Sequence, residues 1–371
     1  MYTASSTALK TASAVADDYQ LREISSWPIA ALRVYCLVLE IPADASRPDL
    51  LQRLAADKRV GLAQPMQTFV TLTRTYNDPY LDLQRGFHEM DVATAHQWSR
   101  GRHVRVAVID TGMDVSHADL RGRVALPRNF VDSDREQFER DRHGTEVAGV
   151  IAAVADNREG IVGVAPDVEL LAFKACWQLQ PGQDDARCNS FTLAQALVAA
   201  IDEKAQIVNL SVSGPADPLL SALVVQGERQ GLIFVGAVET MASSTSLFPA
   251  DTPGVLGIEV AELPASHRST LLAPGREILT LLPAGHYEFA SGPSIAAAHA
   301  TGVIALLLAA NKKLDAGKLR TLLARTSTRA GNRQGNVEYI NACTALTSAI
   351  GHGKCTSGES SLVVKSSAQV H

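Results

Sequence analysis

Between Arg105 and Ile109 valine and isoleucine crowd into a short run that stops at Asp110-Thr111-Gly112. A short apolar run without polar alternation fits a parallel strand buried on both faces, here ending on a carboxylate where open α/β sheets gather their ligands. From Val147 to Val154 the chain is apolar again, opened by His143-Gly144-Thr145, and this fits a helix packed on a sheet. A third apolar stretch, Ile295–Ala309, is almost wholly alanine and leucine-like and follows Ser291-Gly292-Pro293-Ser294. It reads as a buried helix with Ser294 in its first turn. The N-terminal part is patterned on a smaller scale: Val34–Ile41 predicts a strand, Pro48–Asp57 a short amphipathic helix starting near Ser46, and Val60–Leu72 a second strand.

Three chemically active side chains stand at the punctuation of this pattern: a carboxylate ending a strand, an imidazole opening a helix, and a hydroxyl opening another. At a helix N-terminus unpaired N–H groups and the positive dipole end favour an oxyanion, which suits Ser294 to nucleophilic attack. Nucleophile, base and orienting carboxylate on three separate elements form an acyl-transfer set. Singly, each has a bland reading: Asp-Thr-Gly as a strand-ending turn, His-Gly-Thr as a helix start, Ser294 as a cap. Their joint occurrence in the order Asp110, His143, Ser294 overturns those readings.

Chain order and motifs together resemble the subtilisin-like serine proteases, the subtilases, over about residues 76–350. Smaller strings agree: Gly160–Pro166 is similar to the family's loop and strand after the histidine helix, Ile207–Gly214 to its peptide-pairing strand, and Ala273-Pro274-Gly275 to the turn before its serine hairpin. The resemblance implies a three-layer α/β/α fold with a mostly parallel central sheet. It further implies that Ser294 attacks the scissile carbonyl, that His143 moves the proton and that Asp110 orients the imidazole. Ser294 N–H would be one oxyanion donor, and Ser211, Val212 and Ser213 would bind substrate main chain by β-augmentation. The small β-α-β pattern before it, with Leu-Ala-Ala-Asp-Lys-Arg-Val and Ala63-Gln64-Pro65, is similar to the family's inhibitor I9-type propeptide. Such a segment implies a zymogen whose own propeptide acts as an intramolecular inhibitor; an unrelated accessory α+β module is the alternative.

The departures bear on activity. Ungapped alignment puts Thr240 at the place of the family's oxyanion asparagine and Glu239 at that of a glycine. Loss of that donor in subtilisin costs about 10²–10³ in turnover. An ionised Glu239 would repel the developing oxyanion and favour a basic substrate side chain; a buried one would have a raised pKa and could itself donate. Pro293 replaces a threonine and Ala298 a proline. Glu146 replaces the second histidine of His-Gly-Thr-His, placing a carboxylate one turn from His143, or else an exposed polar residue. The resemblance also implies a structural calcium site at Asp119, Asp156 and Asn157, residues that equally suit turns; catalysis itself requires no cofactor. The reading is a serine endopeptidase acting on polypeptides, slowed by its oxyanion segment; the alternative is a catalytically impaired peptide-binding protein of the same fold.

Composition leaves this picture standing. With 46% apolar and 20% charged residues, the chain can bury a large core, and a net charge of −5 points to neither nucleic acid nor an anionic membrane. The serine helix is rich in small residues and reads as core, so no membrane span is expected. Ala14-Val15-Ala16 has the form of a signal cleavage site, yet Met1–Ser13 lacks the apolar stretch of about 7–15 residues that a secretory signal needs. Cys176 and Cys188 flank a polar insertion and Cys343 and Cys355 flank the chain's end, so two local disulfides are expected, with Cys36 buried and left over. Paired cysteines suggest a secreted or periplasmic protein; five unpaired thiols in a cytosolic one are the alternative. The expected divisions are 1–30 leader or disordered, 31–75 propeptide-like, 76–350 peptidase and 351–371 flexible tail.

Overall fold

Residues 1–30, expected to be a leader or disordered, carry regular structure: helix α1 (Ser6–Asp18) and strand β1 (Arg22–Ile29). The computed structural model describes residues 6–42, 45–66, 76–179, 186–239, 247–263, 270–329 and 338–355. These fall into two compact units, Met1–Leu72 and Thr73–His371. In the first, β1 pairs antiparallel with β2 (Val34–Glu40), and α2 (Arg47–Ala56) follows. Val15, Leu21, Leu50 and Leu54 make its core. On α1 the buried residues are Ala12, Val15 and Ala16, an i, i+3, i+4 stripe that composition disguised as leader. The second strand expected over 60–72 is absent from residues 60–66, and 67–72 lie outside the described residues.

The second unit is organised by a seven-stranded parallel sheet. Its strands are β3 (Arg105–Asp110), β4 (Val124–Asn129), β5 (Glu169–Lys174), β6 (Ile207–Leu210), β7 (Ile233–Ala237), β8 (Leu256–Val260) and β9 (Leu271–Ala273). Their spatial order is β9-β8-β7-β6-β3-β5-β4. Along β3, Val106 and Val108 join one apolar cluster while Ala107 and Ile109 join the other, as period-two alternation demands of a strand covered on both sides. Helices α3 (Arg142–Ala152) and α6 (Pro293–Ala310) cover one face; α4 (Ser190–Asp202) and α5 (Pro218–Arg229) cover the other. This is the expected three-layer α/β/α arrangement. After β3 the chain builds β4 and β5 on one side and then crosses to β6 on the other, so Asp110 stands at the topological switch point.

Several local expectations are refined. Gly160–Pro166 forms no strand: the N–H groups of Gly163, Val164 and Ala165 donate to the carbonyls of Ala153, Val150 and Ile151, satisfying the end of α3. The antiparallel hairpin of β10 (Ile278–Leu282) and β11 (His286–Ala290) leads into α6. Long and apolar enough to cross a membrane, α6 is 78% buried and is the core helix of this unit. Disulfides join Cys176 to Cys188 and Cys343 to Cys355. Cys36 is free and half-buried rather than buried. Of the expected tail, residues 356–371 lie outside the described residues.

At Gly302 a Cβ would come within 2.5 Å of Val164 Cβ, which sets how closely α6 approaches the loop after α3. Gly302→Ala is therefore expected to lower stability by about 1–3 kcal/mol through overpacking, measured as a lower denaturation midpoint with an unchanged m-value.

Candidate active site

Asp110, the last residue of β3, is 2% exposed, and a buried carboxylate must be met by donors. Its Oδ1 accepts the Thr111 N–H at 2.7 Å and lies 2.7 Å from Nδ1 of His143. His143 sits in the first turn of α3, with its side chain 20% exposed. One imidazole nitrogen is thus tied to the carboxylate while the ring keeps an open edge.

Glycine and threonine explain how the helix gets this close. A Cβ on Gly144 would sit 1.8 Å from Gly112 O, so only glycine lets the first turn of α3 lie against the Asp-Thr-Gly turn. Gly144 N donates to Thr111 Oγ1 at 3.3 Å, and Asp114 N donates to Thr145 Oγ1 at 3.0 Å. The Thr145 hydroxyl itself donates to Asp141 O at 2.6 Å. Both threonines are bridges between the two segments.

Ser294 is half-buried, the second residue of α6, in a first turn where the N–H groups of Ile295 and Ala296 donate to Gly292 O. Pro293 takes the first helical position, where its missing N–H costs nothing. Ser294 Oγ donates to Ser211 O at 3.4 Å. Because Ile109 and Leu210 are partners across β3 and β6, Asp110 and Ser211 are the next residues on adjacent strands. The serine is thereby held over the same end of the sheet as the Asp110–His143 couple.

Sequence reading missed what locks α6 in register. Asn209 on β6 is fully buried; its Nδ2 donates to Ser211 Oγ and its Oδ1 accepts from Thr301 Oγ1, both at 2.8 Å. Thr301 lies two turns beyond Ser294. An asparagine inside a buried apolar strand was the available signal.

Ser211, Val212 and Ser213 leave the ladder after Leu210 and have no strand partner assigned among the described residues. Glu239, just past β7, is exposed, which removes the buried alternative. Thr240 lies outside the described residues. Glu146 is 3% exposed, not a surface residue, and accepts from Arg142 Nε at 2.7 Å. Its charge is answered by Arg142, which also reaches Glu288 of β11 at 3.2 Å, so it does not act on His143 as an uncompensated carboxylate.

Asp119 and Asn157 do meet, but as a hydrogen-bonded knot. Asp119 Oδ1 accepts from Asn157 Nδ2 at 2.7 Å; its Oδ2 accepts from Ile161 N at 3.0 Å and Tyr287 OH at 3.2 Å. Burial raises the Asp119 pKa, and beside it burial and the Asp119 charge push Tyr287 above its usual range. Asp156 faces Arg100 at 3.6 Å. Calcium takes six to eight oxygen ligands; of the three expected here the structure brings Asp119 and Asn157 together, while Asp156 faces Arg100.

Residues 101–342 match the model of the subtilase family, Peptidase S8. An intracellular serine protease of Paenibacillus polymyxa is 32% identical over 244 residues, 61% of this chain and 73% of the relative. Thermitase of Thermoactinomyces vulgaris is 28% identical, covering 68% of this chain and 91% of its own length. A solved protease of Pseudoalteromonas arctica PAMC 21717 superposes with a TM-score of 0.62 at 22% identity, spanning 74% of this chain and 100% of the other, a likeness of fold. Matched over most of its length by the family model, with the Asp110–His143 couple and Ser294 at the same sheet end, the chain belongs to the subtilase family.

Proposed function

We propose that this chain is a serine endopeptidase that cleaves polypeptides through an acyl-enzyme on Ser294. The observation that carries the reading is the 2.7 Å contact between Asp110 Oδ1 and His143 Nδ1 at the switch point of a subtilase sheet. With Nδ1 on Asp110, the imidazole presents Nε2 as the base. It takes the Ser294 proton as Oγ attacks the scissile carbonyl, then gives it to the leaving amine. Asp110 holds the tautomer and stabilises the imidazolium. The negative oxygen of the tetrahedral intermediate faces the Ser294 N–H in the first turn of α6. Ser211 to Ser213, following β6 with no strand partner assigned among the described residues, supply main-chain hydrogen-bonding groups for an extended substrate.

Three finer parts belong to the same reading. The N-terminal unit serves as an inhibitory propeptide, supported by its place before the peptidase unit and its small independent core. Exposed Glu239 selects basic residues before the scissile bond. Two disulfides fit maturation in an oxidising compartment, secreted or periplasmic.

A fluorophosphonate probe is expected to label Ser294 once the N-terminal unit has been cleaved off and to leave Ser294→Ala unlabelled; a cleaved wild type that stays unlabelled would make the chain a peptide-binding protein instead. On peptide substrates Ser294→Ala should lose about 10⁶ in kcat, the size of the loss in subtilisin. Asp110→Asn should lose about 10⁴ through the wrong imidazole tautomer. Self-cleavage between the two units, read by mass spectrometry, should disappear in Ser294→Ala. Glu239→Gly with Thr240→Asn should raise kcat by about 10² if Thr240 stands at the missing oxyanion donor. The same double change should abolish any preference for Arg or Lys in a peptide library, and indifference in the wild type would end the role given to Glu239.

A further inference from the structure

Lys174 ends β5 completely inside the protein, with 0% of its side chain exposed. In the parallel ladder it is the direct register partner of Asp110. Its ammonium donates to the carbonyl of Thr111, the residue after Asp110, and to Oδ2 of Asp141, which is 1% exposed. Asp141 is the N-cap of α3, two residues before His143. One buried cation therefore holds both backbone segments of the Asp110–His143 couple. A lysine removed from water in this way is retained only where its charge is met, and removal of one partner leaves the other stranded.

We propose that the Lys174–Asp141 ion pair is a positioning element of the hydrolytic site, fixing the distance between the Asp110 turn and the helix that carries His143. The proposal rests on the protease reading of Ser294 but concerns residues outside the triad. The strand ladder places the cation, Thr111 O and Asp141 Oδ2 receive its protons, and the Thr145 hydroxyl closes the loop through Asp141 O. Two oxygens in this knot, Asp110 Oδ2 and Asp141 Oδ1, are buried without a hydrogen-bond partner among the described residues.

The pair also carries a pH signature. Asp141 is faced by Lys174 from β5, by Asp110 from β3 and by Asp132 from the preceding loop, and Arg142 and His143 follow it in the chain. Burial raises its pKa to about 6; Lys174 opposes this, and Asp110 and Asp132 add to it. As pH falls through that value Asp141 takes a proton, the ion pair loses its negative member, and the hold on α3 weakens. The acid limb of kcat then contains a proton beyond the one on His143.

The test follows the His143 titration by NMR in full-length chain labelled with ¹³C-histidine, with His143→Ala for assignment, alongside kcat and KM against pH. The wild type should show a second inflection of the His143 signal near pH 6, and an acid limb of kcat steeper than one ionisation. Asp141→Asn should lose both features. It should also lower kcat by about ten- to a hundredfold with KM little changed, as misplacement of catalytic groups does. Because a single change strands a buried charge, the paired variant Lys174→Met with Asp141→Leu is the second probe. An apolar pair should keep the unfolding midpoint while kcat falls by the same factor. A wild-type His143 curve without the second inflection, or a paired variant with wild-type kcat and acid limb, overturns the proposal. Absence of fluorophosphonate labelling at Ser294 in the cleaved wild type would sink the protease reading alone, because the NMR titration still decides the pair.

Discussion

Everything chemical in this molecule depends on one close approach: the backbone turn at the end of β3 lies directly against the first turn of α3. At Gly144 there is no room for even one carbon beyond the backbone, with Gly112 O 1.8 Å from where it would stand. Backbone against backbone is a stiffer reference than two side chains meeting across a groove, because neither partner has rotamers to lose. Asp110 and His143 inherit that stiffness. Their 2.7 Å contact follows from where the chain is, and the threonines at 111 and 145 add cross-links that no longer side chain could make at this separation.

The serine reaches the same place by another route. Its helix is apolar nearly all round and could slide or rotate against the sheet with little change in buried area, since hydrophobic contact is not directional. Asn209 and Thr301 remove that freedom. A buried amide and a buried hydroxyl bonded to each other and to Ser211 define one register, and any slip leaves polar groups unpaired in the core. The hydrophobic core supplies stability; this small polar contact supplies the alignment that a nucleophile needs.

What was legible in the sequence was what is local. The β3 run, the helix opened by His143 and the small-residue helix opened by Ser294 each announce themselves over a dozen residues. Charge partners across the sheet are not local: Lys174 reads as an ordinary strand-ending lysine until β3 is laid beside β5. For Glu146 the sequence leaves open a carboxylate near His143 or an exposed polar residue, and its i,i+4 partner Arg142 is the local signal for a third state, a buried ion pair. At the N-terminus the difficulty was different: alanine, serine and threonine conceal an amphipathic stripe, because small residues fill the buried face of α1 as well as large ones would.

These charges form a pattern around the start of α3. Asp110, Asp141 and Glu146 are each 3% exposed or less, and each is matched by a base: His143, Lys174 and Arg142. Three carboxylates so close would repel one another and take up protons if any of the three bases were missing. Glu146 is best understood inside that balance. Arg142 puts a positive charge at a helix N-terminus, where the dipole disfavours it, and immediately beside an imidazole that becomes positive in the proposed mechanism. A buried glutamate one turn on draws the guanidinium along the helix, and Glu288 takes its other edge. The departure from the family's second histidine is therefore coupled to the arginine before the first. With Arg142 neutralised along the helix and Lys174 neutralised beneath it, Asp110 is left as the carboxylate in contact with the imidazole, which is the electrostatic condition for His143 to act as a base toward Ser294.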